Sequence, residues 1–545
     1  GKSASIPLVA GQRYYIEVLQ SEGGGGDNLA VGWSGPGLPG GISVIEGRYL
    51  SPPATLPPGT TTPPGAATVR ARAYSPGRLP GEVRTRNYVT GYDPRLATVP
   101  AFFLSGPPEQ TFYTPDGIFT QVGGGWPSGS WVVNDPRFDY NFTMASGSAF
   151  ERPAALEIIN PGNKVVERTT VGVRFAGSPW SRPQYQLKGI ANTAWNGGAH
   201  SKPQLNLFFR SDFGISRLQV KGFIPTSTLK EWDTLRLRAG KNDPYNPFII
   251  DEWMRRSFAG MGAPAPQGFV ATLFINGQFK SYFNPTERPR GSFFQEFFGS
   301  QNLFDINYIG EWEEGDDIAY NQMTNFFRNA DFSSLSNYQQ GAALWDMANV
   351  ADYVIINGWA GTQDWPHNNY AFCRERAPGA RWRFSMWDAE GGIGNFGQSN
   401  QHNTFENELH VSSGNSPGSE GTTAALVFRR AYQNAEFRML FADRLQKHFF
   451  NGGVMTRTSM NARWNGLRAQ VEPLVAAVFG GAFNNNTWTN WAARDSTFLT
   501  QARNLGLWPT TLAPAMEPFG GSVGTGSSVT LINPNTSGVI YYTTT

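Results

Sequence analysis

A single cysteine, Cys373, stands among 545 residues, which excludes an intrachain disulfide and any cysteine-based zinc site. That count leaves the redox compartment open. The five histidines, His200, His367, His402, His410 and His448, do not fall at metal-ligand spacing, so no histidine metal centre is expected. Charge is also scarce. Charged residues make up 16% of the chain, 44 basic against 42 acidic, and the lysines and arginines are spread thinly. A nucleic-acid footprint needs them gathered, so no nucleic-acid partner is expected. The longest apolar candidate for a membrane span, around Leu474 to Phe483, is short and interrupted by glycine, so no transmembrane segment is expected. Neither GxGxxG nor a Walker A loop occurs. The acidic run Glu311 to Asp317 lacks the oxygen spacing of a calcium loop and reads as a solvated charge run.

What is present is globular in composition, with 40% hydrophobic residues, in a chain long enough for two or more domains. Residues 1–50 alternate (Tyr14, Ile16, Val18; Leu29, Val31, Trp33) and predict a small β-module. Residues 51–65, SPPATLPPGTTTPPG, form a linker that cannot pack, and residues 66–148 read as a β- and loop-rich connection. From Glu151 the pattern tightens. Strands are expected at Ala155 to Ile159 and at Val171 to Phe175, the second running into Gly177-Ser178, a turn whose amides could cradle phosphate. Lys202 precedes a strand whose Leu205, Leu207 and Phe209 share a face, and a lysine there is expected to be solvated. Asp251-Glu252 open a helix. The hairpin FVATLFINGQFKSYF turns at Asn276-Gly277 and leads to Glu287. Tyr338 to Trp359 reads as one helix buried on all sides, and Phe437 to Phe449 as a core helix in which His448 packs.

The stretch Gly361 to Gly394 follows directly. Asp364 and, five residues on, Asn369 precede a strand at Phe372 to Arg376. Pro378-Gly379 turns into a second strand carrying Trp382, Phe384 and Met386, which delivers Asp388. Two carboxylates and an amide thus come to one end of a hairpin, where hard oxygen ligands suit a divalent cation over a phosphate chain. Taken singly, Asp364 caps a turn and Asp388 closes a hairpin.

An ordered series then carries a resemblance over roughly Glu151 to Pro509. It comprises Glu151-Arg152-Pro153, Gly177-Ser178, Lys202 with Leu205 to Phe209, LRLRAGKNDP (Leu235 to Pro244), the INGQF hairpin with Glu287-Arg288-Pro289, DWPHNN (Asp364 to Asn369), WRFSMWDAE (Trp382 to Glu390) and FRMLFADRLQKHFFNGG (Phe437 to Gly453). It resembles the CotH kinase family, bacterial atypical kinases named for a spore-coat protein. The resemblance implies an α+β fold with a two-lobed, protein-kinase-like core over residues 149–510, using ATP and Mg²⁺ or Mn²⁺. It implies Asp364 as the catalytic base and Asn369 and Asp388 as metal ligands. Lys202 would meet the phosphates, with Asp251 or Glu252 as its acidic partner, beside a cradle at Gly177 and Ser178. Glu287 would contact the nucleotide base or bridge the lobes. Two departures stand out, an insertion-like stretch from Gln186 to His200 and Lys280-Ser281-Tyr282 where relatives commonly have an aromatic-Gly pair.

Residues 1–50 resemble half of a protective-antigen-type β-sandwich, and residues 511–545 the opening strands of a chitobiase C-terminal Ig-like module. Both suggest an excerpt of a longer multimodular protein, as does a start at Gly1 rather than Met. The expected function is phosphoryl transfer to Ser/Thr hydroxyls of secreted or surface proteins. The alternatives are a non-catalytic surface or matrix scaffold that engages surface glycans, and a carbohydrate-active enzyme using Asp364 with Glu390.

Overall fold

A computed structural model describes residues 6–9, 12, 14, 31–36, 41–45, 65–75, 77–79, 81–113, 116–122, 124–125, 132–133, 140–141, 145–162, 164–177, 202, 204–219, 223–224, 229–240, 248–412 and 422–544. The chain divides into two compact units, Gly1–Pro63 and Pro64–Thr545. In the first, Gly32–Trp33 pairs antiparallel with Ser43–Val44.

The second unit starts with a hairpin, β1 (Gly65–Ala71) and β2 (Arg84–Thr90). Seven further strands close on themselves: β3 (Ala101–Ser105), β4 (Arg152–Asn160), β5 (Lys164–Phe175), β6 (Leu205–Phe208), β7 (Thr234–Arg238), β8 (Ala271–Ile275) and β9 (Gln278–Glu287). The order β7-β6-β5-β4-β3-β8-β9 returns to β7 through the pairing of Leu235 with Glu287, so the sheet is a closed barrel. Only β3 and β8 run parallel. Closure removes the free edges that an open sheet would leave. Strand alternation fills the interior, where Leu104, Val173, Leu207, Leu235, Leu237 and Phe283 are buried together. The sequence suggested a kinase-like two-lobed core. The mixed α+β content agrees, while the strand-rich part is a closed barrel.

Helix α1 (Ile250–Gly260) packs against this barrel between β7 and β8 in the chain. After β9 come α2 (Gly291–Phe298), β10 (Phe304–Tyr308), β11 (Glu311–Glu314), α3 (Ile318–Asn329), α4 (Leu335–Leu344) and α5 (Met347–Ala360). Strands β12 (Ala371–Glu375) and β13 (Arg383–Ser385) complete a four-stranded sheet in the order β11-β10-β12-β13. The short α6 (Thr404–Asn407) is followed by α7 (Thr423–Tyr432), α8 (Ala435–Phe449), α9 (Arg457–Phe479), α10 (Asn486–Asn490) and α11 (Arg494–Asn504). A last hairpin joins β14 (Ala515–Glu517) to β15 (Thr530–Ile532). Among the described residues no helix is long and apolar enough to cross a membrane.

Two expectations change. The single helix over Tyr338 to Trp359 is two helices, because Trp345 turns extended and Asp346 caps α5 by accepting the Asn349 amide. The run Glu311 to Asp317 is not simply solvated. Glu313 pairs with Arg288 and Arg290, Glu314 with Arg290, and Asp316 with Arg376. His448 packs as expected, 1% exposed and bonded to Asp352 at 2.9 Å.

Strand β9 holds three unfavourable residues. Ser281 sits at φ 77°, fully buried, with its hydroxyl unpartnered. That conformation suits glycine better than serine. Ser281→Gly should therefore stabilise the protein by about 1 kcal/mol, read as a higher thermal midpoint. Lys280 is fully buried, and burial pushes its amine down to about 8. The folded state then binds fewer protons than the unfolded chain between about pH 8 and the ordinary lysine value near 10.5, so stability rises with pH across that window and is lost as pH falls through it. Lys280→Met should flatten this rise in denaturant titrations at successive pH values. Glu287 shares its sheet face with Leu235 and Phe283, is 1% exposed, and has neither carboxyl oxygen hydrogen-bonded. Burial, then the nearby Asp233 and Glu296, raise it well above the usual carboxylate range. Glu287→Leu should stabilise the fold by about 1–3 kcal/mol by removing an unsatisfied buried group.

Candidate functional site

The alternation that sends Leu235 and Leu237 into the barrel sends Arg236 and Arg238 out of it, towards α1 and the segment after β13. Arg238 Nε meets Asp251 Oδ2 at 3.0 Å. Its Nη2 reaches Asp388 Oδ1 at 2.6 Å and Glu390 Oε2 at 3.0 Å. Asp251, in the first turn of α1, is also held by Arg255 at 3.0 Å and accepts the Ala389 amide at 2.8 Å. Burial opposes the charged forms of both Arg238 and Asp251. The three carboxylates nevertheless hold Arg238 well above its ordinary value, and Arg238 with Arg255 holds Asp251 below its own. The side chains of Arg238, Asp251 and Glu390 are under 10% exposed, whereas that of Asp388 is 36% exposed. Asp388 is the member of the network open to a ligand.

The other carboxylate comes from the end of α5. Gly361 closes that helix in the left-handed conformation, and the buried Arg494 donates to the carbonyls of Gly358 and Trp359 in its last turn. In the loop that follows, Asp364 Oδ1 accepts from Asn368 Nδ2 at 2.9 Å and Oδ2 from Asn369 Nδ2 at 3.1 Å, with His367 Nε2 at 3.3 Å. The Asp364 loop is laced to the Asp388 turn by Gln363 N donating to Gly391 O at 3.2 Å and by Gln398 Nε2 donating to the carbonyls of Gly361 and Gly391. Asp364, Asn369 and Asp388 all lie at positive φ, 57°, 54° and 51°.

The candidate residues divide accordingly. Asp364 and Asn369 touch, and Asp388 lies on the adjoining turn. Lys202 is not solvated as expected. It is 6% exposed, its ammonium 4.5 Å from the ring centres of Phe248 and Tyr282 and 5.4 Å from Phe283. Of its suggested partners, Asp251 is engaged by Arg238 and Arg255, and Glu252 by Arg255 and Arg256. Gly177 lies two residues past β5 at φ 124°, and Ser178 lies outside the described residues, as does the stretch Gln186 to His200. Glu287 faces the barrel core rather than the Asp388 network. Glu390 is spent on Arg238, which leaves it poorly placed to act with Asp364 as a carboxylate pair.

Arg238 was the residue missed. Arg238 on β7, its partner Asp251 on α1 and the β8-β9 hairpin follow one another in the chain. The alternation of LRLR just before Asp251 was the available signal.

A divalent cation fits the oxygens present. Asn369 gives its amide nitrogen to Asp364, which turns its Oδ1 to other use, and Asp388 is partly exposed. Among the described residues no group of three or more His, Cys, Asp or Glu side chains is placed to hold a metal alone. Mg²⁺ held by one or two protein oxygens and completed by substrate phosphates matches so sparse a set.

The model of the CotH kinase protein family matches residues 206–496, from β6 to α11. Gly177, Ser178 and Lys202 precede the matched segment, while Arg238, Asp251, Asp364, Asn369 and Asp388 lie inside it. No curated protein matches the chain. With more than half of its 545 residues covered, this chain belongs to the CotH kinase protein family.

Proposed function

We propose that the chain is an atypical protein kinase that transfers the γ-phosphoryl group of ATP to Ser or Thr hydroxyls of secreted or cell-surface proteins. The observation that carries this reading is the joint arrangement of the Asp364–Asn369 pair and the adjoining Asp388, tied through Arg238 to Asp251 on α1. Asp364 would orient the acceptor hydroxyl and take its proton as the new O–P bond forms and the bond to the leaving ADP breaks. Asn369 and Asp388 would hold Mg²⁺ or Mn²⁺, which when bound offsets charge on the phosphate oxygens. Arg238 fixes Asp388 by a charge-assisted hydrogen bond. The β-segments at both ends of the chain favour a surface location and contact with glycans, and these belong to the proposal.

One observation favours a second reading, a non-catalytic scaffold. Asp388 already has a guanidinium on Oδ1, and both oxygens of Asp364 accept from neighbouring amides, so the network is satisfied without a ligand.

Nucleotide binding and transfer of labelled phosphate decide between them. The intact protein should bind ATP only with Mg²⁺ or Mn²⁺, and Asp388→Ala should abolish that metal dependence. Asp364→Asn should leave binding in place while slowing transfer about 10²- to 10⁴-fold. Absence of metal-dependent binding by the intact protein would sink the kinase reading, and binding without transfer to any hydroxyl-bearing protein would favour the scaffold.

A further inference from the structure

The barrel face beside Asp388 is cationic where a nucleobase slot would be apolar. One register row crosses three strands, with Arg174 on β5 opposite Asn206 on β6 and Asn206 opposite Arg236 on β7. A strand spacing of about 4.8 Å sets the two arginine positions about 10 Å apart. Because Val173, Leu205, Leu207, Leu235 and Leu237 fill the barrel, the row points outward on the same face as Arg238. Arg236 Nε donates to Asn206 Oδ1 at 3.1 Å, and its guanidinium lies 4.9 Å from the ring centre of Trp387, the residue before Asp388. Arg174 donates to the Gly147 carbonyl at 2.9 Å and lies 5.0 Å from the ring centre of Phe208.

Their neighbours are neutralised. Arg210 pairs with Glu151, Arg288 with Glu313, and Arg238 with three carboxylates. Among the described residues, neither Arg174 nor Arg236 has an ion pair, although both are half-buried. Burial, then the like charges of Arg288 and Arg238, bring Arg236 down to about 9 against the opposing pull of Asp388 and Glu313, and burial lowers Arg174 against that of Glu151 and Glu313. A bound anion would add to this partial compensation at shorter range.

We propose that the Arg174–Asn206–Arg236 row is a polyphosphate-binding subsite, whose two guanidiniums take non-bridging oxygens of a phosphate chain that reaches the cleft at Asp388. Planar guanidinium forks match phosphate oxygens, and Asn206 Nδ2 adds a donor between them. The inference builds on the phosphotransferase reading and adds that the cleft recognises the ligand by its phosphate chain more than by its base. The same chemistry serves a nucleoside triphosphate or a free inorganic polyphosphate.

Calorimetric titration of the full chain with Mg²⁺ and, separately, ATP, inorganic tripolyphosphate, adenosine and poly-glutamate tests it. Tripolyphosphate should bind and compete with ATP, while adenosine should not bind. Arg174→Gln and Arg236→Gln should each weaken tripolyphosphate about ten-fold, and Arg236→Lys should restore most of the loss. ATP binding much more tightly than tripolyphosphate identifies the nucleotide as the source, and equal affinity identifies free polyphosphate. Unchanged affinity in both glutamine variants, or poly-glutamate binding where tripolyphosphate does not, overturns the proposal. Should the glutamine variants fail to fold, the intact protein still decides. Tripolyphosphate must raise its melting temperature by an amount that high salt suppresses, and failure to do so counts against the subsite. Loss of phosphate transfer with retained, arginine-dependent tripolyphosphate binding would reject the kinase reading and keep the row.

Discussion

The guanidinium of Arg238 is the point on which the site depends. It joins carboxylates from α1 and from the turn after β13, so a barrel strand, a helix and the Asp388 loop share one buried cation. A lone charge in so enclosed a place would be costly, and so would three carboxylates without it. The elements are therefore interdependent. Displacing α1 would strip Asp251 from Arg238 and loosen Asp388, and disturbing the Asp388 turn would release the Ala389 amide that Asp251 holds. The positions of α1 and of the Asp388 turn are thus coupled, through the Arg238 guanidinium and through the Asp251–Ala389 hydrogen bond.

Around that point the two cores differ in character. The barrel interior is a layer of aliphatic and aromatic side chains with Glu287 at one end, while the helical part packs α1, α5 and α7 to α11 into one large core. Helix α5 is the spine of the second. It is buried along nearly its whole length and gripped at its end by Arg494, which spends its donors on main-chain carbonyls of Gly358, Trp359, Asn400 and His402. The loop bearing Asp364 thereby starts from a fixed point even though its own backbone is strained.

Much of the Asp364, Asn369 and Asp388 group was legible because its members fall within one short stretch, where turn and strand signals govern the geometry. Arg238 was not, since its partner Asp388 lies 150 positions on and the two meet only once the chain between them has folded. Lys202 drew attention as a lysine at a strand start, yet its environment is set by Phe248, Tyr282 and Phe283, which are distant in sequence. The direction of Glu287 follows from its register with Leu235, a property of the closed sheet and not of the hairpin that carries it. The break between α4 and α5 was hidden because Trp345 and Met347 continue the apolar pattern, while the Asp346 cap between them decides the backbone.

The parallel pairing of β3 with β8 sets Phe102 beside Leu273 and closes the barrel across a long span of chain. The segment that the family model matches begins at residue 206, one residue into β6, so β3, β4 and β5 lie before it. Those three staves contribute Leu104, Leu156 and Val173 to the interior. A polypeptide trimmed to the matched residues would carry Asp364, Asn369 and Asp388 beside an opened sheet, its apolar lining exposed and its β6 and β8 edges unpaired. The barrel therefore begins before the matched segment, and during synthesis its first three staves must wait for β8 and β9 before it can shut.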